Sequence, residues 1–300
     1  MRLVVTGATG RLARALRPHL SHRGHEVVAF SRMAGESTGA LAELPVFLQS
    51  ADIDAVLHLA WSTVPATAEQ KPDSEQKTDL ALLSKIVAAL DAVPAEKRPL
   101  LVFFSTGAVY GESKEGAEPF TEMDAVRPLG AYGKGKVAAE ALLTAAGAEG
   151  LPAAILRVTN VYGMADLTGV PQGVIPAIAR AAEEGCPFEI WGSGEAVKDY
   201  LHVRDLAEAL EAVVSKRLSG IFNVASGETI CLHAILQMAQ VHLGKTIATT
   251  KRSAPAWDVQ HARYSSTKLR VAAGWTPQVR FAEGLAETLN SCLSARGDSR

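Results

Sequence analysis

Short apolar segments alternate with segments of helical periodicity along the first half of the chain. Nearly every position in each apolar segment is hydrophobic, which is typical of strands covered on both faces of a parallel sheet. The predicted strands are 2–7, 26–30, 55–60, 100–106, 153–159 and, later in the chain, 220–226. The clearest helices predicted between them are 11–22, 78–92 and 134–146. This alternation predicts an α/β fold with an open, doubly wound parallel sheet.

The alternation loosens after about residue 160. Pro171, Pro176, Pro187 and several glycines interrupt the chain there. We therefore predict a sheet domain of residues 1–160, to which 199–226 return. A smaller C-terminal lobe, interleaved with this domain, is predicted mainly from 161–198 and 227–300.

Composition and charge limit the classes of function. The chain has 300 residues, 48% of them hydrophobic, and a formal net charge of −2. It is therefore globular and lacks the basic surplus that attracts proteins to nucleic acid or anionic membranes. No apolar run is long enough to span a bilayer, and a strand-like segment directly after Met1 leaves no room for a signal peptide.

The cysteines point to a reducing compartment. Cys186, Cys231 and Cys292 lie far apart and lack the spacing of metal ligands. Nothing near His58 or His202 completes a metal site either, so no metal is predicted. We expect reduced, buried thiols and a cytoplasmic location.

A glycine motif joins the first predicted strand to the first predicted helix. In VVTGATGRLARAL, Gly7 permits a tight turn, Gly10 lets a pyrophosphate approach the backbone, and Ala13 lets the helix pack on the strand. The start of the helix offers N–H groups to the phosphates. The motif indicates that the sheet domain is a dinucleotide-binding Rossmann domain. Its predicted cofactor contacts are Gly7, Thr9, Gly10, Arg11 and Leu12.

The end of the second predicted strand bears on which dinucleotide binds. NAD sites place an acidic residue there for the ribose 2′-hydroxyl, whereas an arginine accommodates the 2′-phosphate of NADP. Ser31 and Arg32 occupy this place, and Arg11 can assist. Two solvated arginines are the alternative. The segment favours NADP over NAD.

A tyrosine and a lysine stand four residues apart in AYGKGKVAAE. On a helix, Tyr132 and Lys136 share one face, a turn apart. A free tyrosine, with a pKa of about 10, is a poor base at neutral pH, but a neighbouring ammonium favours the phenolate. The spacing also occurs by chance in many chains, so two solvated side chains are the alternative.

Further segments carry a family resemblance over nearly the whole chain. They are VLHLAW (56–61), FFSTGAVYG (103–111), YGKGK (132–136), ILRVTNVYG (155–163), VKDYLHVRDLAEAL (197–210), FNVASGE (222–228) and YSSTKLRVAAGWTP (264–277). With the glycine motif, and in this order, they resemble the extended short-chain dehydrogenase/reductase family, of the NAD-dependent epimerase/dehydratase type. The resemblance implies hydride transfer between a nicotinamide and a carbon of a nucleotide-linked sugar.

The resemblance also implies catalytic roles. Thr106, four residues before Tyr110, takes the place of the catalytic hydroxyl, rather than Ser105. Tyr132 takes the place of the proton-transfer group. Lys136 takes the place of the lysine that supports the tyrosine and contacts the nicotinamide ribose.

The remaining contacts implied by the resemblance fall into two groups. The cofactor contacts beyond the glycine motif are Ser31, Arg32, Leu59, Ala60, Tyr132 and Lys136. The substrate contacts are Thr106, Asn160, Lys198 and Arg252. Lys198 stands where the family has an arginine that binds a nucleotide diphosphate, and lysine lacks the bidentate fork of arginine. Arg252 aligns loosely, and a surface arginine is the alternative.

Departures from the family pattern reduce the number of reactions that the resemblance allows. Dehydratases carry two acids after the catalytic threonine, but Gly107 and Ala108 follow Thr106 here. We therefore expect redox chemistry at one carbon. A UDP-hexose-like C4 epimerase is ranked first, and an NADPH-dependent 4-ketosugar reductase is the alternative. A catalytically silent NADP-sensing module is disfavoured because Thr106, Tyr132 and Lys136 are all present.

The resemblance also implies a homodimer. Members of the family commonly pair two long helices from each subunit into a four-helix bundle. Helices 78–92 and 134–146 carry the apolar residues that such a bundle needs, namely Leu82, Leu83, Val87, Val137 and Leu142.

Overall fold

A seven-stranded, all-parallel sheet forms the centre of the larger domain in the computed structural model, which describes residues 1–35, 38–70, 75–114, 116–164 and 173–297. In the order β10-β6-β5-β4-β1-β2-β3, its strands are β10 (Gly220–Val224), β6 (Ala153–Val158), β5 (Leu100–Thr106), β4 (Ala55–His58), β1 (Arg2–Thr6), β2 (Glu26–Ser31) and β3 (Gly39–Ala40). Each of the six strands predicted from the sequence is present in this sheet. The predicted doubly wound α/β fold is thereby confirmed.

Helices cover both faces of this sheet. The helices on one face are α1 (Arg11–His22), α7 (Val203–Ser215) and α9 (Thr267–Ala273), and those on the other are α2 (Leu44–Ser50), α4 (Ala81–Asp91) and α5 (Ala131–Ala148). Side chains alternate across a strand, so Leu3 and Val5 of β1 pack with the first set, whereas Val4 packs with the second. Both faces of each strand are therefore buried, which explains the continuous apolar segments.

The smaller lobe has its own sheets and core. A three-stranded sheet has the order β11-β9-β7, with β7 (Asn160–Tyr162), β9 (Val197–His202) and β11 (Thr229–Cys231). A two-stranded sheet pairs β8 (Phe188–Trp191) with β12 (Thr249–Arg252). A third apolar cluster includes residues of α6 (Val174–Glu184), α8 (Leu232–Leu243) and α10 (Phe281–Gly297). The strand that begins the returning segment 199–226 thus pairs outside the main sheet. The predicted domain limits stay a prediction.

Two predicted helices have different limits in the structure. The helix predicted at 78–92 begins as a π-helical segment at Glu75–Leu80 and continues as α4. The helix predicted at 134–146 begins earlier, at Ala131, so Tyr132 lies in its first turn. Gly133 and Gly135 are poor helix residues, each costing about 1 kcal/mol relative to alanine, but tertiary contacts at the helix start outweigh this local cost.

The described helices include none that is long and apolar enough to cross a bilayer. The expectation of buried cysteines is correct for Cys292, whereas Cys231 is half-buried. It is wrong for Cys186, which is exposed in the short connection between α6 and β8.

Candidate active site

The candidate site lies where the strand order of the large sheet reverses. From β1 the chain proceeds outward through β2 and β3, and it then crosses back to β4 on the other side of β1. In open parallel sheets, ligands bind in the crevice at the carboxyl ends of the strands on either side of such a point. Thr6, His58 and Thr106 end β1, β4 and β5 at this edge.

The turn after β1 fits a pyrophosphate. Gly7 has φ +66°, and a Cβ on it would lie 2.8 Å from the backbone nitrogen of Ala60. The N–H of Gly10 donates to the carbonyl of Gly7 over 2.8 Å, which closes the turn. Helix α1 then begins with no side-chain cap and no acidic residue in its first turn. Its first N–H groups are therefore left for an anionic ligand.

The predicted cofactor residues surround this turn. Thr9, Gly10, Arg11 and Leu12 form the end of the turn and the start of α1, with Thr9 and Gly10 exposed. Leu59 and Ala60 follow β4 directly across the crevice from Gly7. The N–H of Ala60 donates to Thr6 Oγ1 over 3.2 Å, which holds the two sides of the crevice together.

The two residues at the end of β2 are placed differently. The Ser31 side chain is buried, and its hydroxyl donates to the carbonyl of Met33 and lies 3.2 Å from Thr38 Oγ1. The next residue, Arg32, is exposed. Of this pair, Arg32 is therefore the residue whose side chain is accessible to a cofactor.

His58 lies under the crevice as an uncharged histidine. It is 1% exposed, its Nδ1 lies 2.9 Å from Thr6 Oγ1, and its ring stacks on Phe103 at 6.0 Å between centroids. Burial, and secondarily the charge of Lys136, lowers the pKa of His58 to about 3. The described residues contain no group of three or more His, Cys, Asp or Glu side chains placed to bind a metal.

The low pKa of His58 predicts a loss of stability in acid. The unfolded chain takes up this proton near pH 6.5 and the folded chain only near pH 3, so the unfolded state gains protons first as the pH falls. Between these values the free energy of unfolding should fall by up to about 1.4 kcal/mol per pH unit from this group. Urea unfolding of wild type and His58→Gln between pH 7 and 4 measures the slope. The variant should be less pH-dependent, whereas the exposed His242→Gln should match wild type; equal slopes in all three would contradict the assignment.

The two hydroxyls at the end of β5 have different environments. Ser105 is buried, and its Oγ donates to Glu140 Oε1 over 2.5 Å. Thr106 lines a pocket at this edge of the sheet, and its Oγ1 accepts the N–H of Ala108 over 3.2 Å. The Thr106 hydroxyl therefore keeps its proton for donation into the pocket.

Tyr132 and Lys136 lie on one face of α5, as the spacing predicted. Lys136 is 4% exposed, and its Nζ donates to the carbonyl of Phe104 over 2.8 Å. The same Nζ lies 3.8 Å from the ring centroid of Trp61, 4.7 Å from that of Phe103 and 5.6 Å from that of Tyr132. Aromatic faces attract an ammonium, so the surroundings hold a buried positive charge beside the tyrosine.

Contacts with residues outside the helix stabilise the start of α5. Gly130 gives no side-chain cap, but Glu69 Oε1 accepts the N–H of Ala131 over 2.5 Å. A Cβ on Gly133 would lie 2.7 Å from Pro128 Cβ and 3.2 Å from the carbonyl of Ala108. Glycine at 133 therefore lets α5 pack closely beside the turn after Thr106.

One pocket brings together most of the predicted catalytic and substrate residues. Thr106, Tyr132, Asn160 and Lys198 all line it. The Asn160 side chain donates from Nδ2 to the carbonyl of Asp199 over 2.8 Å, which holds it at the pocket edge. Lys136 lies behind Tyr132 rather than in the lining.

The two predicted cations have different positions. Lys198 Nζ lies 2.5 Å from Asp258 Oδ1, and both residues line the pocket. Arg252 lies outside the lining, 69% exposed at the side chain, with Nη1 3.6 Å from Glu189 Oε1. The structure therefore does not bring Arg252 to the pocket, because β12 pairs with β8 at the surface of the smaller lobe.

Sequence reasoning missed several residues of the site. Glu69, Trp257 and Asp258 line the pocket, and Trp61 covers Lys136. Trp61 had a weak signal, since it stands in VLHLAW where the matching family element ends in alanine. The others come from loops without a motif, so nothing in their local sequence marks them.

Comparisons with known proteins agree with this architecture. The chain is 28% identical to the UDP-glucose 4-epimerase of Corynebacterium glutamicum, over 99% of this chain and 97% of that one. It is 28% identical to the dTDP-4-dehydro-6-deoxyglucose reductase of Escherichia coli, over 85% and 80%. The solved UDP-glucose 4-epimerase of Thermus thermophilus, in complex with NAD, is 27% identical, with a TM-score of 0.86 and 99% of both chains covered.

A family model matches most of the chain and confirms the resemblance seen in the sequence. It describes the NAD-dependent epimerase/dehydratase family and matches residues 3–225, which include the glycine turn, Thr106, Tyr132 and Lys136. This chain belongs to the NAD-dependent epimerase/dehydratase family.

Proposed function

We propose that this protein is a nucleotide-sugar 4-epimerase that acts on a UDP-hexose-like substrate by hydride transfer at C4 of the sugar. The observation that carries the proposal is the single pocket in which Thr106 and Tyr132 meet, with the ammonium of Lys136 held behind the tyrosine. The crevice beside it fits a dinucleotide. Similarity to UDP-glucose 4-epimerases over nearly the full chain supports the substrate class.

The chain's own residues handle the proton and position the sugar. NAD(P), when bound, supplies the site that accepts and returns the hydride. The phenolic oxygen of Tyr132 takes the proton of the sugar hydroxyl and later gives it back. Lys136 favours the phenolate because its charge is held in place by the carbonyl of Phe104. Thr106 donates a hydrogen bond to the reacting oxygen.

Asn160 and Lys198 are assigned to the remainder of the substrate. Both line the pocket on the side of the smaller lobe, where β7 and β9 pair. The Nδ2 of Asn160 and the ammonium of Lys198 are donors suited to a diphosphate. Dehydration stays disfavoured, because Gly107 and Ala108 line the pocket after Thr106 without a carboxylate.

The choice between NAD and NADP depends on Arg32. The exposed guanidinium of Arg32 at the end of β2 suits a 2′-phosphate. The Ser31 hydroxyl, by contrast, already donates a hydrogen bond to the carbonyl of Met33 in the following loop. The solved epimerase compared above contains NAD, so NAD is the cofactor expected from similarity. The preference for NADP is a proposal that rests on Arg32, with Arg11 at the start of α1 in support.

An NADPH-dependent 4-ketosugar reductase is the second candidate. The exposed Arg32 and the similarity to the Escherichia coli reductase favour it. A reductase exchanges its cofactor at each turnover, whereas an epimerase returns the hydride to its own substrate and retains the cofactor. A silent NADP-sensing module has least support, because two of the predicted catalytic residues, Thr106 and Tyr132, line one pocket and the third, Lys136, lies behind the tyrosine.

The first experiment identifies the cofactor and the reaction together. Mass spectrometry of the cofactor released from denatured protein shows whether NAD or NADP is bound. Purified protein should then interconvert UDP-glucose and UDP-galactose with no cofactor added. Stoichiometric consumption of NADPH with a nucleotide-linked 4-ketosugar, and no interconversion, would assign the reductase instead.

The homodimer is proposed to form through the π-helical segment, α4 and α5. Leu82, Val87 and Leu142 on these helices are half-buried, which leaves apolar surface for a partner copy. Light scattering should give about twice the mass of 31.7 kDa. Leu142→Glu should shift the protein toward the monomer, and a monomeric wild type would contradict the proposal.

A further inference from the structure

Glu69 places a carboxylate in the substrate pocket beside the reacting tyrosine. It follows helix α3 (Pro65–Ala68) and lines the pocket that contains Tyr132. Its Oε1 lies 2.5 Å from the N–H of Ala131, the residue directly before Tyr132. A Cβ at Gly130 would lie 2.7 Å from this Oε1 and 2.7 Å from Trp257 Cβ. Glycine at 130 thus lets the Glu69 and Trp257 side chains approach the helix start closely.

The charge of Glu69 is not balanced by the other charged residues of the pocket. Among the described lining residues the charged side chains are Glu69, Lys198 and Asp258. Lys198 is already paired with Asp258, with 2.5 Å between Nζ and Oδ1, so its charge is compensated. The lining itself therefore carries a net negative charge, which belongs to Glu69, while the ammonium of Lys136 lies behind Tyr132 and outside the lining.

We infer that Glu69 makes this site selective for sugars that are neutral near the reacting carbon and rejects sugars that carry a carboxylate there. A sugar hydroxyl can donate a hydrogen bond to the Glu69 carboxylate, whereas a second carboxylate can only repel it. Glu69 is solvent-exposed at the edge of the pocket, so water screens part of this repulsion and the discrimination is moderate. The inference rests on the proposed function and adds to it the substituent that the sugar carries.

UDP-glucose and UDP-glucuronate are a matched pair for the test. They share the nucleotide and the ring, and they differ in a CH₂OH group against a carboxylate. Isothermal titration calorimetry at pH 7 gives the Kd of both for wild type, Glu69→Gln, Glu69→Ala and the exposed control Glu96→Gln. We expect wild type to prefer UDP-glucose, and Glu69→Gln to reduce the ratio of the two Kd values by about two- to fivefold, the range for a solvent-exposed charge. The control should keep the wild-type ratio.

The two Glu69 variants separate selectivity from helix capping. The amide oxygen that Glu69→Gln introduces can still accept the N–H of Ala131, whereas Glu69→Ala removes the acceptor altogether. If Glu69 only caps α5, then Glu69→Gln keeps the wild-type ratio and Glu69→Ala weakens both nucleotide sugars equally; this outcome overturns the inference and leaves the proposed function standing. If wild type binds neither nucleotide sugar, the substrate assignment and the inference are both overturned.

Discussion

Replacing Tyr132 by phenylalanine should reduce kcat by about 10²–10⁴-fold, the range that a positioned proton-transfer group contributes. The change removes one oxygen from a residue that lines the pocket, beside the ammonium of Lys136 at 5.6 Å from the ring centroid. Binding of UDP by calorimetry and the melting temperature should stay close to wild type, because the ring and the helix are retained. The measurement is the initial rate of UDP-glucose and UDP-galactose interconversion.

Two further variants serve as controls for the Tyr132→Phe result. Thr106→Val removes the second pocket hydroxyl and should also lower kcat, by a smaller factor, because it positions the substrate without taking its proton. Ser105→Ala changes a hydroxyl that faces Glu140 rather than the pocket, so it should affect stability more than kcat. Unchanged turnover in Tyr132→Phe would exclude catalysis by this tyrosine.

Glu140→Ala should lower the free energy of unfolding by about 3–5 kcal/mol, because it leaves a buried guanidinium without its carboxylate. Glu140 is 4% exposed and Arg157 5% exposed. Nη2 of Arg157 lies 2.7 Å and its Nε 3.1 Å from the two carboxylate oxygens, and Ser105 Oγ donates to the same carboxylate. Glu140 thus joins α5 to β5 and β6 one helical turn after Lys136.

Urea unfolding measures this loss, with Glu149→Ala as a matched control at the exposed C-terminal end of the same helix. The control should change stability by no more than about 0.5 kcal/mol. The double variant Glu140→Met with Arg157→Met removes both charges and should recover much of the loss. A single variant as stable as wild type would show that the pair contributes nothing measurable to the fold.

The position of Glu140 connects stability to the site. Tyr132, Lys136 and Glu140 follow one another at intervals of four residues, so they share one face of α5. The ion pair anchors the inner end of this face, and Glu69 holds its outer end at Ala131. The tyrosine and lysine between these anchors are therefore held by contacts at both ends of the face.

The sequence by itself determined the main strands, the glycine turn after the first strand and the Tyr132–Lys136 spacing on a helix. Strands buried on both faces must be apolar at nearly every position, so six strands of the large sheet could be predicted from the sequence alone. A glycine at positive φ, such as Gly7, is required for a local turn, so the turn beside the crevice was also predictable. The pairing of Tyr132 with Lys136 depends only on helical spacing, which is equally local.

Tertiary structure alone decided which distant side chains meet in the pocket. Glu69, Trp257 and Asp258 come from loops separated from Tyr132 by 60 or more residues, and contacts of this kind depend on how whole elements pack. The same packing started α5 at Ala131 despite two glycines, and it left Arg252 at the surface of the smaller lobe, away from the pocket. Local preferences amount to about 1 kcal/mol per residue, whereas burial, caps and ion pairs between distant segments are as large or larger. The sequence therefore determined the secondary structure of each segment, whereas packing determined which side chains of distant segments meet in the pocket.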